Sequence, residues 1–121
     1  MLAIGRARKA DLRGFEVSTR TLIARGAKAL SRALFALEGR WVPLDHWLEA
    51  ELRTLTDSAQ AVPLLTEAIL SGRHEPLAEA LERLQAQLEA EGFPPPAERT
   101  AFFLELIHPT RAAERAIHGL N

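Results

Sequence analysis

The sequence predicts an all-α fold, a bundle of five or six mostly antiparallel helices that forms a single domain over residues 1–121. Apolar residues recur at three- and four-residue intervals along most of the chain, as they do on one face of a helix. Alternating patterns and runs of Val, Ile and Thr, which are typical of strands, are nearly absent. The 21 alanines and 20 leucines favour helix, and short connections favour antiparallel neighbours.

The first long helix is expected to begin near residue 11 or 18 and to end near residue 38. Gly14 and Gly26 weaken it, so either glycine is a candidate position for a break. Gly39 stands where a C-terminal cap belongs. The apolar stripe of this helix comprises Phe15, Leu22, Ile23, Leu30, Leu34 and Leu37.

The second helix is expected over residues 43–55, because Pro43 suits the first helical position, where its missing N–H has no effect. Trp47 lies beside its buried face, which comprises Leu44, Leu48, Leu52 and Leu55. The third helix is expected from residue 58 or 62 to residue 71, with Pro63 in its first turn or marking a break. Its inward residues are Leu65, Ile69 and Leu70.

The fourth helix is expected over residues 76–91, where Glu79 and Arg83 form an i,i+4 pair of favourable order. Its stripe comprises Leu77, Leu81, Leu84 and Leu88. Three prolines then form a stiff connector at residues 94–96. A fifth helix is expected over residues 97–107, and a last short one over residues 110–118.

The sequence lacks the residues and motifs that several kinds of catalytic, metal and cofactor site require. The chain has no cysteine, which excludes disulfides, thiolate metal sites and a cysteine nucleophile. Gly-rich phosphate loops, a GxSxG turn and an HExxH pair are absent, and the three aspartates are scattered. We therefore expect no metal and no organic cofactor. Of the four histidines, His74 is interpreted as an exposed loop residue, and His108 and His118 as residues at helix C-termini.

The location of the protein is predicted from what its sequence lacks. No run of about 18 apolar residues is present to span a membrane, and the N-terminus has no apolar segment of signal-peptide length. We expect a cytoplasmic protein that makes no membrane contact.

The segment over residues 35–48, FALEGRWVPLDHWL, contains both tryptophans of the chain at a predicted corner between two helices. One interpretation is structural: both indoles pack into the core, and Arg40 pairs with Asp45 or Glu49. The other is a ligand- or partner-binding corner, because Arg and Trp often anchor interfaces. The residues of this candidate site are Arg40, Trp41, Asp45, His46 and Trp47.

This segment resembles a helical domain of unknown function that follows the nucleotidyltransferase domain in many bacterial and archaeal proteins. The family pattern is roughly F-A-L-N-x-R-W-x-P-Y-D-K-W-L. The chain departs from it at Glu38, Leu44 and His46. It matches at Phe35, Ala36, Leu37, Arg40, Trp41, Pro43, Asp45, Trp47 and Leu48.

The resemblance implies a non-catalytic accessory or substrate-binding domain, since the G-S and D-x-D residues of the catalytic domain are absent. The implied partner is a separately encoded nucleotidyltransferase. Two alternatives stay open. Arg40 and His46 have the R-x5-H spacing of helical ribonucleases related to nucleotidyltransferase-associated proteins, and an exposed apolar face is typical of a self-associating bundle, that is, a homo-oligomer.

Charge is unevenly distributed along the chain. Residues 1–40 carry nine basic and three acidic side chains, whereas residues 41–121 carry six basic and thirteen acidic ones. Arg25, Lys28 and Arg32 share one helix face at i, i+3 and i+7, which makes them a candidate phosphate contact. Nucleic acid is not expected as a partner, because the whole domain is not strongly basic.

Overall fold

The computed structural model describes residues 2–93 of the chain, and this part is all-α, as predicted. The helices are α1 (Leu2–Leu12), α2 (Glu16–Leu37), α3 (Leu48–Leu52), α4 (Val62–Ser71) and α5 (Glu75–Ala90), with a 3₁₀ turn over Asp45–Trp47 immediately before α3. The chain divides into two units, Met1–Gln87 and Leu88–Asn121, and the core and the sites described below lie in the first. The helices predicted over 97–107 and 110–118, and the connector at 94–96, lie outside the described residues.

The N-terminal region contains two helices where the sequence predicted one. Gly14 separates α1 from α2 in a left-handed conformation (φ +73°), which confirms one of the two candidate breaks. The sequence analysis missed α1, whose buried residues are the small Ala7 and Ala10 and make no stripe of large side chains. Phe15 precedes α2 and is exposed, so its predicted place on the buried stripe is wrong.

The buried core is built from residues of α2, α4 and α5, together with Ala7 and Ala10 of α1. Gly26 does not break α2; instead a Cβ built on it would lie 2.8 Å from Cδ2 of Leu77 on α5. The missing side chain therefore leaves room for the Leu77 side chain against α2. The large buried side chains of this core are Ile23, Leu30, Leu34, Phe35, Leu65, Leu77 and Leu84.

The second predicted helix begins later and ends earlier than expected. Leu44 is extended (φ −60°, ψ 151°), helical structure starts with the 3₁₀ turn at Asp45, and α3 ends at Leu52. Pro43 therefore lies outside the helix. Leu44 is 71% exposed, so its predicted place on the buried face is wrong, whereas Leu52 and Leu55 are buried as expected.

The boundaries of α4 and α5 agree closely with the sequence. Pro63 lies in the first turn of α4, and Gly72 ends that helix with φ +70°. Asp57 lies four residues before the N-cap Ala61, and its carboxylate accepts hydrogen bonds from the N–H groups of Ala61 and Val62, both at 2.9 Å, which satisfies free donors at the helix start. Ile69 and Leu70 were predicted to face inward and are instead exposed. The predicted Glu79–Arg83 pair is present at 3.0 Å.

Within residues 2–93, no helix combines the length and the apolar character that a membrane span requires.

Candidate functional site

The corner between α2 and the 3₁₀ turn is formed by a Schellman motif. Gly39, with φ +68°, donates its N–H to the carbonyl of Ala36 at 3.0 Å. The N–H of Arg40 reaches the carbonyl of Phe35 at 2.9 Å. A left-handed glycine at this position ends the helix and turns the chain, as the sequence predicted. Residues 40–44 then run without helical structure.

Arg40 fastens this corner to the end of α3. Its Nη2 donates to Oε2 of Glu51 at 2.6 Å, and its Nη1 donates to the hydroxyl of Thr54 at 2.8 Å. The guanidinium carbon also lies 5.2 Å from the centre of the Phe35 ring, within cation–π range. The predicted pairing of Arg40 with Asp45 or Glu49 is wrong, because α3 begins later and brings Glu51 into reach instead.

Glu38, one of the three departures from the family pattern, makes a second connection. Its carboxylate accepts the N–H of Thr56 at 2.8 Å and the N–H of Asp57 at 3.2 Å. The Thr56 N–H, helped by the Asp57 N–H and the charge of Arg40, lowers the pKa of Glu38 below its ordinary value. Glu38 and Arg40 thus hold the two ends of the 40–55 segment together.

Asp45 provides a third connection, to α2. Its Oδ1 accepts a hydrogen bond from Nζ of Lys28 at 2.7 Å. This bond and the charge of Lys28, with smaller effects from Arg32 and His46, lower the pKa of the Asp45 carboxyl. Lys28 is therefore committed to an ion pair, whereas Arg25 and Arg32 lie exposed on α2. Phosphate contact by these three residues stays a prediction.

The large apolar side chains of residues 40–47 take no part in these polar connections. Trp41 is 95% exposed, Leu44 71% and Trp47 58%. The interpretation that both tryptophans pack into the core is therefore wrong. His46 contacts Trp47, with ring centres 5.6 Å apart. We call Trp41, Leu44 and Trp47 the indole corner, and Glu38, Arg40 and Asp45 its polar frame.

The contacts of Arg40 are relevant to the alternative in which Arg40 and His46 act together as in a ribonuclease. Both terminal nitrogens of the Arg40 guanidinium are engaged, by Glu51 and by Thr54. His46, in contrast, is exposed beside Trp47. A ribonuclease-like role of Arg40 and His46 stays a prediction, which an RNA-cleavage assay of Arg40→Ala and His46→Ala would test.

A second cluster was missed by the sequence analysis. Asp11, His74 and Glu75 bring one ligand atom each to within 4.8 Å of the others. The His74 side chain is only 14% exposed, so its interpretation as an exposed loop residue is wrong. The adjacency of His74 and Glu75 was visible in the sequence. Asp11 belongs to α1, which was not predicted, so no sequence pattern connected it with them.

Comparison of the chain with protein-family models, with curated proteins and with solved structures finds no match. The resemblance to the nucleotidyltransferase-associated domain therefore stays a prediction based on residues 35–48.

Proposed function

We propose that this chain is a non-catalytic accessory domain that binds a separately encoded nucleotidyltransferase through its indole corner, in the cytoplasm. The motif of residues 35–48 supports the identity of the partner, because the family it resembles accompanies nucleotidyltransferase domains. The exposed side chains of the same segment support the mode of binding. The proposal assigns catalysis to the partner and recognition to this domain.

The observation that carries the proposal is the exposure of Trp41, Leu44 and Trp47 on a segment tied down by three polar connections. Large apolar side chains are unfavourable in water unless something covers them. A segment already fixed in shape loses little conformational freedom on binding, which favours affinity. Tryptophan is also among the residues that contribute most to interfaces.

Affinity capture tests this proposal directly. The tagged chain is incubated with lysate of its source organism, and captured proteins are quantified by mass spectrometry. We expect a protein that carries the G-S and D-x-D residues of a nucleotidyltransferase to be enriched by the wild type. Truncation of a central tryptophan removes about 2 kcal/mol or more of binding free energy, so Trp41→Ala is expected to reduce this capture about 30-fold.

Leu70→Ala is the matched control, because Leu70 is 78% exposed on α4, outside the indole corner. This variant is expected to capture the nucleotidyltransferase as well as the wild type does. Equal capture by Trp41→Ala and the wild type would overturn the assignment of the corner. Capture of a second copy of this chain alone would replace the proposed partner with self-association.

A further inference from the structure

The end of α1 and the start of α5 bring three metal-ligating side chains together. Asp11 lies in the last turn of α1, and His74 immediately precedes Glu75, the first residue of α5. The Nε2 atom of His74 is 3.4 Å from Oδ2 of Asp11 and 3.4 Å from Oε1 of Glu75. We call these three residues the α1–α5 cluster.

The two distances are longer than good hydrogen bonds and close to the spacing of metal ligands. An N–H···O bond usually has a donor–acceptor distance of about 2.7–3.2 Å. Two ligands about 2.0–2.1 Å from a tetrahedral zinc ion lie roughly 3.3 Å apart. Both contacts of His74, at 3.4 Å, match the second spacing, and all three ligand atoms lie within 4.8 Å of one another.

The donor atoms also fit a particular class of ion. One imidazole nitrogen and two carboxylate oxygens suit Zn²⁺ and related divalent transition metals, whereas Mg²⁺ and Ca²⁺ prefer oxygen alone. Three protein ligands leave one tetrahedral position open for water or an exogenous ligand. A cleft of about 290 Å³ lies beside Asp11, the one residue of the cluster that lines it. Its lining residues are Asp11, Gly14, Glu16, Thr19, Arg20 and Gly72.

The charges next to the α1–α5 cluster affect how it would bind a cation. The other oxygen of Glu75, Oε2, lies 3.8 Å from Nε of Arg73, which leaves Oε1 directed at His74. Asp11 is a carboxylate in the last turn of a helix, where the negative end of the helix dipole disfavours it. A cation at the cluster would offset that repulsion and join α1 to α5.

We infer that Asp11, His74 and Glu75 form a binding site for a divalent transition-metal ion, with Zn²⁺ as the best fit, separate from the indole corner. The ion connects Asp11 of α1 to His74 and Glu75, which follow it by 63 and 64 positions in the sequence. Its binding is expected to stabilise the folded chain, because the unfolded chain does not hold the three ligands together.

Calorimetric titration of the full chain with ZnCl₂, after removal of any affinity tag, tests the inference. We expect one Zn²⁺ per chain and a melting temperature that rises with ZnCl₂ concentration. His74→Gln and Asp11→Asn are each expected to weaken binding about tenfold or more, since even residues behind the ligands alter affinity by this much. Circular dichroism checks that both variants retain the helical content of the wild type.

His46→Gln is the matched control, because His46 is an exposed histidine beside Trp47 and far in sequence from the α1–α5 cluster. It is expected to bind Zn²⁺ like the wild type. Zn²⁺ binding that is unchanged in His74→Gln, or lost equally in His46→Gln, would overturn the site. Absence of stoichiometric binding by the wild type would also overturn it and would leave His74 as an ion-pair partner of the two carboxylates.

Discussion

At the residue scale, Arg40 and Glu38 are partly exposed side chains that nevertheless connect separate segments of the chain. Arg40 links the end of α2 to Glu51 and Thr54, and Glu38 accepts two backbone N–H groups from the segment after α3. Each side chain therefore determines where a neighbouring segment lies. Trp41 and Trp47 lie on the segment that these bonds connect to α3 and to the residues after it.

Replacing Arg40 tests the strength of its connection. Arg40→Ala is expected to lower the free energy of unfolding by about 1 kcal/mol, because it removes a charge-assisted pair that is partly exposed to solvent. Urea denaturation measures this loss. Combining it with Glu51→Gln in a double-mutant cycle isolates the pair, and strictly additive losses would show that the two side chains do not interact.

The lowered pKa of Glu38 predicts how the free energy of unfolding depends on pH. Its pKa in the folded chain lies below the ordinary value of 4.5, so its contribution is present above that value. The contribution is lost as the pH falls from 4.5 through the lower folded pKa. Glu38→Gln is expected to reduce the decline in unfolding free energy over this acidic range, as measured by urea denaturation at successive pH values. An unchanged decline would contradict the role given to the two N–H donors.

At the scale of elements, the sequence predicted helices well where stripes of large apolar residues are bounded by glycine or proline. The end of α2 shortly before Gly39 and the bounds of α4 follow from such signals, although Ile69 and Leu70 of the stripe predicted for α4 are exposed. The sequence did not predict α1, whose buried side chains are alanines. It also predicted Leu44 inside a helix, whereas helical structure starts one residue after Leu44. The partners of Arg40 and Asp45 depend on where α3 and α2 lie in space, which no local pattern specifies.

Gly5 and Gly26 both lie inside helices, and replacing each with alanine separates the effect of packing from the effect of helix propensity. Gly5 in α1 is exposed, with no atom within 4 Å of an added Cβ, so Gly5→Ala is expected to stabilise the chain by up to about 1 kcal/mol. Gly26→Ala has the same propensity gain, but its Cβ would meet buried Leu77 at 2.8 Å. Since overpacking costs about 1–3 kcal/mol, a net loss is expected. Thermal unfolding compares the two, and equal stabilisation would contradict the tight contact between Gly26 and the Leu77 side chain.

At the scale of the whole molecule, the described residues carry two separate surfaces with different chemistry. The indole corner presents apolar side chains on a polar frame and is assigned to a protein partner. The α1–α5 cluster presents nitrogen and oxygen ligands and is assigned to a metal ion. Because the two share no residue, variants of one are expected to leave the other intact, and His74→Gln is expected to capture the nucleotidyltransferase as well as the wild type does.

The central claim is that the indole corner is exposed on the free chain and covered by the partner. The two tryptophans of the chain both belong to this corner, so the intrinsic fluorescence of the free chain reports on it alone. Iodide quenching of that fluorescence, measured before and after addition of the nucleotidyltransferase and corrected for the signal of the nucleotidyltransferase alone, is the most direct measurement. We expect strong quenching in the free chain and clear protection in the complex. Indoles already shielded in the free chain, or equally quenched in the complex, would contradict it.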